Sequence, residues 1–271
     1  MSKKSRPPIP ELGAPIIETH CHLDYLDEAE LAETLERSKA VGVERIITIS
    51  VSLDNQDTVR DLTTADPMIW CTQGLHPHEA SSWSSGFNEQ LEASLEHDKV
   101  VAVGEIGLDY YYEHSDRDTQ IAAFEAQLEV ACQKDRPVVI HTREADQDTQ
   151  AILKNFSSKL KQRGVIHSFT SSMALAEFCL AEGYHLGFNG ICTFKNAENV
   201  RDIIRATPLQ QILLETDAPY LTPVPYRGVP NASFYLPFIA AKVAELKGVD
   251  TVDLLSIART NSLRCFFESS L

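Results

Sequence analysis

Eight short runs rich in β-branched residues recur along the chain, separated by segments in which apolar residues keep helical spacing. The runs cover 16–23, 45–52, 68–76, 100–109, 137–143, 164–170, 184–190 and 211–219. Between them, 27–41 places Leu31, Ala32, Leu35 and Val41 at helical intervals, and 118–132 does the same with Ile121, Phe124, Leu128 and Cys132. A strand followed by a helix, repeated eight times, predicts an α/β protein with a parallel sheet closed as a TIM-type (β/α)8 barrel. The 271 residues suit a single domain of that kind, which needs about 250. An open doubly wound sheet would carry a glycine-rich turn after an early strand, and none is present. The barrel is expected over 16–271, behind a flexible, basic N-terminal arm over 1–15. A proline-rich loop over 222–230 follows the last run, and two helical segments, about 233–247 and 251–267, come after it.

The first run reads P-I-I-E-T-H-C-H-L. In a strand alternate residues share a face, so Glu18, His20 and His22 point one way and Thr19 and Cys21 the other. Two imidazoles leaving a strand end suit a metal ion, although a lone H-x-H is more often a pair of satisfied histidines. Further ligands must therefore come from other strands. The third run ends G-L-H-P-H, with His76 and His78, and the fourth, V-V-A-V-G-E-I-G-L-D, holds Glu105 among apolar residues. The fifth ends in His141, the sixth carries His167, and the eighth reads Q-I-L-L-E-T-D-A-P, with Glu215 and Asp217. In a barrel the C-terminal strand ends meet on one face, where active sites are built. His20, His22, Glu105, His141, His167 and Asp217 thus come from five strands to one mouth. Nitrogen and oxygen ligands without a thiolate suit two divalent ions, Mg²⁺, Mn²⁺ or Zn²⁺, and Glu105 is placed to bridge them. Two such ions polarise a phosphoryl oxygen and activate water, so the protein need offer no nucleophile: the design is that of a hydrolase.

Charge and cysteine usage narrow the partners. Lys and Arg number 24 against 39 Asp and Glu, a net −15, which opposes a broad non-specific grip on nucleic acid. Part of that negative charge belongs to the ligand set. The six cysteines are scattered and form no C-x-x-C, as expected of reduced thiols in a cytoplasmic protein. No apolar run is long enough to span a bilayer, so no membrane is expected as a partner.

The motifs E-T-H-C-H-L-D, G-L-H-P-H, G-E-I-G-L-D-Y-Y, P-V-V-I-H-T-R-E-A, H-S-F, T-F-K-N and L-L-E-T-D-A-P-Y-L, followed by Y-R-G and Asn231, resemble the TatD-type metal-dependent deoxyribonucleases. The resemblance runs from about residue 16 to 265. It implies a TIM-type barrel, a divalent-metal site and hydrolysis of DNA phosphodiesters, commonly from the 3′ end with a preference for single strands. By motif, one ion would be held by His20, His22, Glu105 and Asp217, and the second by Glu105, His141 and His167. Glu105 and Asp217 would also take part in catalysis, with His76 as the histidine on the substrate side. His78, Arg143 and Arg227 would contact substrate. The resemblance leaves the oligomeric state open, a monomer being the simplest. Three departures stand out: Glu18 where the family usually has Asp, Ser168-Phe169-Thr170-Ser171 where it usually has Cys-Phe-Ser-Gly, and a less basic segment after Arg227. The alternative activity is hydrolysis of an ester or amide by the same kind of barrel, with D-aminoacyl-tRNA deacylation foremost. A non-catalytic barrel would be expected to have lost ligands, and all six are here.

Overall fold

The computed structural model describes residues 6–267; residues 1–5, the start of the expected arm, and 268–271 lie outside the described residues. The chain alternates as β1 (Ile16–Cys21), α1 (Glu28–Ala40), β2 (Val43–Thr48), α2 (Gln56–Leu62), β3 (Ile69–Gln73), α3 (Ser85–Ser94), β4 (Val100–Asp109), α4 (Arg117–Lys134), β5 (Val138–Arg143), α5 (Asp146–Phe156), β6 (Gly164–Ile166), α6 (Met173–Ala181), β7 (His185–Phe188), α7 (Glu198–Ala206) and β8 (Ile212–Leu214), then α8 (Leu236–Lys247) and α9 (Thr251–Phe266). The strands pair in parallel, each with the next, in the order β1 to β8. This is the expected (β/α)8 barrel.

Helix starts follow local chemistry. Asp27 caps α1 by accepting from Glu30 N at 2.9 Å while the Glu30 carboxylate accepts from Asp27 N at 3.1 Å, a reciprocal capping box. Asp116 and Asp250 cap α4 and α9 one-sidedly, their side chains accepting from Thr119 N and Val252 N.

Strand residues alternate between two apolar cores. Ile46, Val138, Ile140, Ile166, Ile212 and Leu214 face outward and pack with helix residues such as Leu35, Phe124, Leu128 and Leu153. Their neighbours Ile47, Val139, Val165 and Leu213 face inward and pack with Phe266 and Phe267. The end of α9 therefore closes the barrel on the side away from the strand C-termini. Trp70, near the start of β3, meets Phe267 edge-on at 5.0 Å, and the Arg45 guanidinium lies 4.4 Å from the Phe267 ring.

The barrel closes at the seam between β8 and β1, mostly through residues beyond β8. Thr19 Oγ1 donates to Leu214 O at 3.0 Å, Asp217 N to His20 O at 2.9 Å, and His22 N to Ala218 O at 2.8 Å. Strands six and eight are shorter than the apolar runs suggest. Ser168 (φ 46°) and Asp217 (φ 59°) adopt left-handed backbone, which ends an extended strand. Residues 6–15 form no helix or strand. Arg6 donates to the Arg227 carbonyl at 3.1 Å, and Tyr226 Oη donates to the Pro7 carbonyl at 2.7 Å. No helix among the described residues is long and apolar enough to cross a membrane.

Candidate metal centre and active site

Glu105 is the hub of the site. It lies within β4, the longest strand, at 3% exposure, and its two oxygens face different neighbours. Oε2 lies 3.4 Å from His20 Nε2. Oε1 lies 2.7 Å from His167 Nε2, 3.0 Å from His141 Nδ1 and 3.4 Å from His76 Nε2. On the β1 side, Asp217 Oδ1 is 3.5 Å from His22 Nε2 and 3.8 Å from His20 Nε2. All six residues expected as ligands converge, and His76 joins them. Ligand atoms close enough to share an ion form three groups: His20–His22–Asp217, His20–Glu105–His167 and His76–Glu105–His141.

The arrangement fits cations. His20 Nδ1 and Nε2, His22 Nδ1 and His167 Nδ1 are buried and have no hydrogen-bond partner. Buried polar atoms are almost always paired, so clustered orphans of this kind mark a missing partner. His20 and His167 stack at 3.8 Å between centroids, 6° from parallel, which two imidazolium ions would resist. Burial pushes the Glu105 carboxyl up, but the surrounding His167 and His76 more than offset this and hold it well below the usual range. Burial pulls the His20 pKa down, and the neighbouring His167 adds to the effect, so the His20 ring is neutral and one of its nitrogens is free to donate an electron pair. Cys21 sits in the same strand, but burial pushes its thiol well up and keeps it protonated, which removes it from the donor set.

Three buried carboxylates lie behind this cluster and fix its surroundings. Asp109, at the end of β4, takes His141 Nε2 at 3.0 Å and His78 Nε2 at 3.1 Å, and it accepts from Tyr111 N and Tyr112 N. Burial raises its carboxyl, but the bonds from His141 and His78 prevail and hold it far below normal. Asp109 is not among the expected site residues, although its even spacing from Glu105 puts both on one strand face. Glu215 Oε1 accepts from Ser168 N at 2.7 Å and Asn189 Nδ2 at 3.2 Å, and it lies 3.7 Å from His167 Nδ1. Gly187 leaves room for Glu215, since a Cβ there would collide with Glu215 Oε2.

Glu18 is fully buried. Its Oε1 accepts from His20 N at 3.2 Å and Thr216 N at 2.9 Å, and its Oε2 accepts from Thr216 Oγ1 at 2.6 Å. It thus ties the backbone of one ligand, His20, to the residue before another, Asp217. Burial pushes its carboxyl up to about 8 despite these bonds.

Above the centre lies a cavity of about 860 Å³, lined by His22, Tyr25, His76, His78, Tyr112 and Arg143 among others. Among the described residues Arg143 is the one Lys or Arg in its lining. Arg227 is not part of that lining; its guanidinium lies 3.8 Å from the Phe194 ring centroid. Burial pulls His76 down to about 4, so its ring is neutral. His76 Nδ1 accepts from His78 N at 3.1 Å, which places the ring proton on Nε2.

The chain matches known proteins over nearly its full length. The family model described as TatD related DNase covers residues 17–267. An uncharacterized metal-dependent hydrolase of Bacillus subtilis, YabD, is 33% identical over 252 residues, 93% of this chain and 98% of its own. The 3′-5′ ssDNA/RNA exonuclease TatD of Erwinia tasmaniensis is 36% identical over 240 residues, 86% of this chain and 92% of its own. The crystal structure of YJJV, a TatD homolog from Escherichia coli K12, superposes with a TM-score of 0.87 at 32% identity, covering 93% of this chain and 97% of that one. With this barrel, this cluster of ligands and these relatives, the chain belongs to the TatD-related DNase family and is a metal-dependent hydrolase.

Proposed function

We propose that the protein hydrolyses phosphodiester bonds at the ends of DNA, working from 3′ to 5′ and preferring single strands, with two divalent ions (Mg²⁺, Mn²⁺ or Zn²⁺) in its centre. The observation that carries this reading is the position of Glu105, whose two oxygens face the His20 side and the His141–His167 side at once. A relative named as a 3′-5′ ssDNA/RNA exonuclease supports the choice of substrate. His20, His22, Glu105 and Asp217 would hold one ion, and Glu105, His141 and His167 the other. When bound, the pair supplies Lewis acidity toward the phosphoryl oxygen and acidifies the attacking water.

The remaining work falls to the chain's own side chains. Burial pushes the Asp217 carboxyl up, but His22 and His20 hold it below its usual value. Asp217 is therefore ionised at neutral pH and able to take a proton from water. His76, neutral and protonated on Nε2, can donate to an oxygen of the phosphate. His78 stays on the cavity wall, fixed by Asp109. Arg143 offers a two-pronged donor to one phosphate. Arg227, outside the cavity, is assigned to a phosphate farther along the strand.

The test compares labelled single-strand DNA, double-strand DNA, RNA and a D-aminoacyl-tRNA, each with added divalent metal and with chelator. Stepwise release of nucleotides from the 3′ end of single-strand DNA, abolished by chelator, is the expected result. Cleavage of the aminoacyl ester with DNA left intact would replace this reading by the deacylase.

A further inference from the structure

Four of the seven large apolar side chains exposed among the described residues are tyrosines: Tyr25, Tyr111, Tyr112 and Tyr220. All four lie on loops that follow strand ends on the face of the metal centre. Tyr25 follows β1 and Tyr220 follows β8, whereas Tyr111 and Tyr112 follow β4 and lie beside Arg143 at the end of β5. In an eight-stranded barrel with this strand order, the β8–β1 seam and the β4–β5 seam are opposite each other across the mouth. The two pairs therefore form facing rims with Glu105 between and below them.

The rims share a geometry. The Tyr25 and Tyr220 rings stand 6.2 Å apart at 81°, an open corner, with His22 stacked on Tyr25 at 5.4 Å and 18°. The Tyr111 and Tyr112 rings stand 4.8 Å apart at 87°, with the Arg143 guanidinium 4.1 Å and 4.9 Å from their centroids. Each ring remains about half exposed. A flat aromatic group in such a corner would lie on one ring and meet the edge of the other, the two arrangements aromatic pairs favour. Paired exposed rings beside a cavity are the kind of apolar surface on which ligands bind. Apart from the ions of the centre, side-chain charge gives a polyanion little hold at this mouth. Among the described residues Arg143 is the one Lys or Arg in the lining, against Glu79, Glu105, Asp109 and Asp217.

We propose that the two tyrosine corners are base-stacking sites which hold the unpaired nucleobases on either side of the scissile phosphate. This rests on the nuclease reading above and names what that reading lacks, the source of the strand preference. Bases reach opposite rims only when they are neither paired nor stacked on each other. A duplex end must be melted before it is cut, and stacking on a ring is tolerant of base identity.

The test uses manganese-loaded protein and two single-strand oligonucleotides of equal length, one with normal bases and one with the last two nucleotides abasic. kcat and KM are measured for the wild type and for Tyr220→Ala, Tyr112→Ala, Tyr220→Phe and Tyr112→Phe. Binding is followed in parallel by anisotropy on the same oligonucleotides closed by uncleavable 3′ linkages. Each alanine variant should raise KM and Kd on the normal strand about tenfold, the scale of one base–aromatic stack, with kcat little changed. The phenylalanine variants should behave as wild type, and on the abasic strand all five proteins should be alike. Equal KM for normal and abasic strands in the wild type overturns the stacking proposal while leaving the nuclease intact. Failure to cleave either strand overturns both. If an alanine variant does not fold, the comparison of the two strands on the wild-type protein decides alone.

Discussion

The β8–β1 side of the mouth and the β4–β5 side use the same kinds of side chain and leave them in opposite states. On the β8–β1 side, His20 and His22 keep buried nitrogens without partners, while the carboxylate behind them, Glu18, is occupied with backbone and with Thr216. On the β4–β5 side, His141 has a carboxylate at each nitrogen, and Asp109 holds His78 as well. The first is a rigid frame around an unmet need, and the second is a web that already neutralises itself. An unpaired buried polar atom costs about 1–3 kcal/mol, so a cation relieves the first side outright. On the second side it must replace existing pairs. The two sides should therefore bind ions with different affinity, tighter at β8–β1.

Glu105 is the side chain that joins the two, and changing it should have the largest effect. Glu105→Gln keeps the shape and removes the charge. Turnover should fall by about 10³-fold, the scale of losing a group that acts in the transition state. Elemental analysis should show metal lost from both positions. Unchanged metal content with only the rate reduced would make Glu105 a reacting group and not a bridge.

Asp109→Asn should act on the β4–β5 side alone. Replacing a carboxylate that orients a ligand histidine weakens metal binding by about 10–100-fold. Calorimetric titration of metal into metal-free protein should show one step weakened and the tighter step unaltered. Equal weakening of both would show that the two sides do not act separately.

On the other side, Glu18 makes a pH test possible. Its carboxyl is raised in the folded state, from 4.5 to about 8, so it binds a proton more tightly folded than unfolded. The stability this contributes is complete below 4.5 and is lost as pH rises through about 8. Metal-free wild type should show a Tm that declines across that window, and Glu18→Gln, which cannot ionise, should flatten the decline. Glu18→Ala should lower Tm throughout, by about 2–4 °C for each kcal/mol lost at this chain size. Parallel curves for wild type and Glu18→Gln would mean that Glu18 is ionised in the folded protein.

The smallest effect concerns substrate grip. Arg143→Ala should raise KM several-fold, and Arg227→Ala, outside the cavity, less. Affinity for single-strand DNA should fall with salt by roughly 0.7 log units per log unit for each phosphate contact, and Arg143→Ala should remove about one contact's worth. A slope equivalent to six contacts or more would reveal a basic track absent from the mouth as described.

The side chains that converge on Glu105 were legible in the sequence because each interrupts an apolar strand, where a charged or imidazole side chain has few structural uses. The residues that position them were harder to read. Glu18 meets Thr216 across 198 residues of sequence, a pairing created only when β8 closes on β1. Arg227 carries an ordinary guanidinium, and nothing local shows that Phe194 draws it away from the cavity. The sixth and eighth strands seemed longer because apolar content continues past the left-handed turns at Ser168 and Asp217. Tyrosines serve in cores as readily as on rims, so their place at the mouth emerged only with the barrel.

The inner core also bears on how the protein is made. The last strand is complete at Leu214, yet Ile47, Val139, Val165 and Leu213 share their core with Cys265, Phe266 and Phe267, which come more than fifty residues later. A chain emerging from the ribosome thus passes through a stage with every strand present and the barrel floor open. Such contacts, distant in sequence, form slowly, and the apolar lining left bare meanwhile invites association with other chains. Clipping or mutating the end of α9 should for this reason reduce the yield of folded protein in the cell before it alters the chemistry at the opposite end.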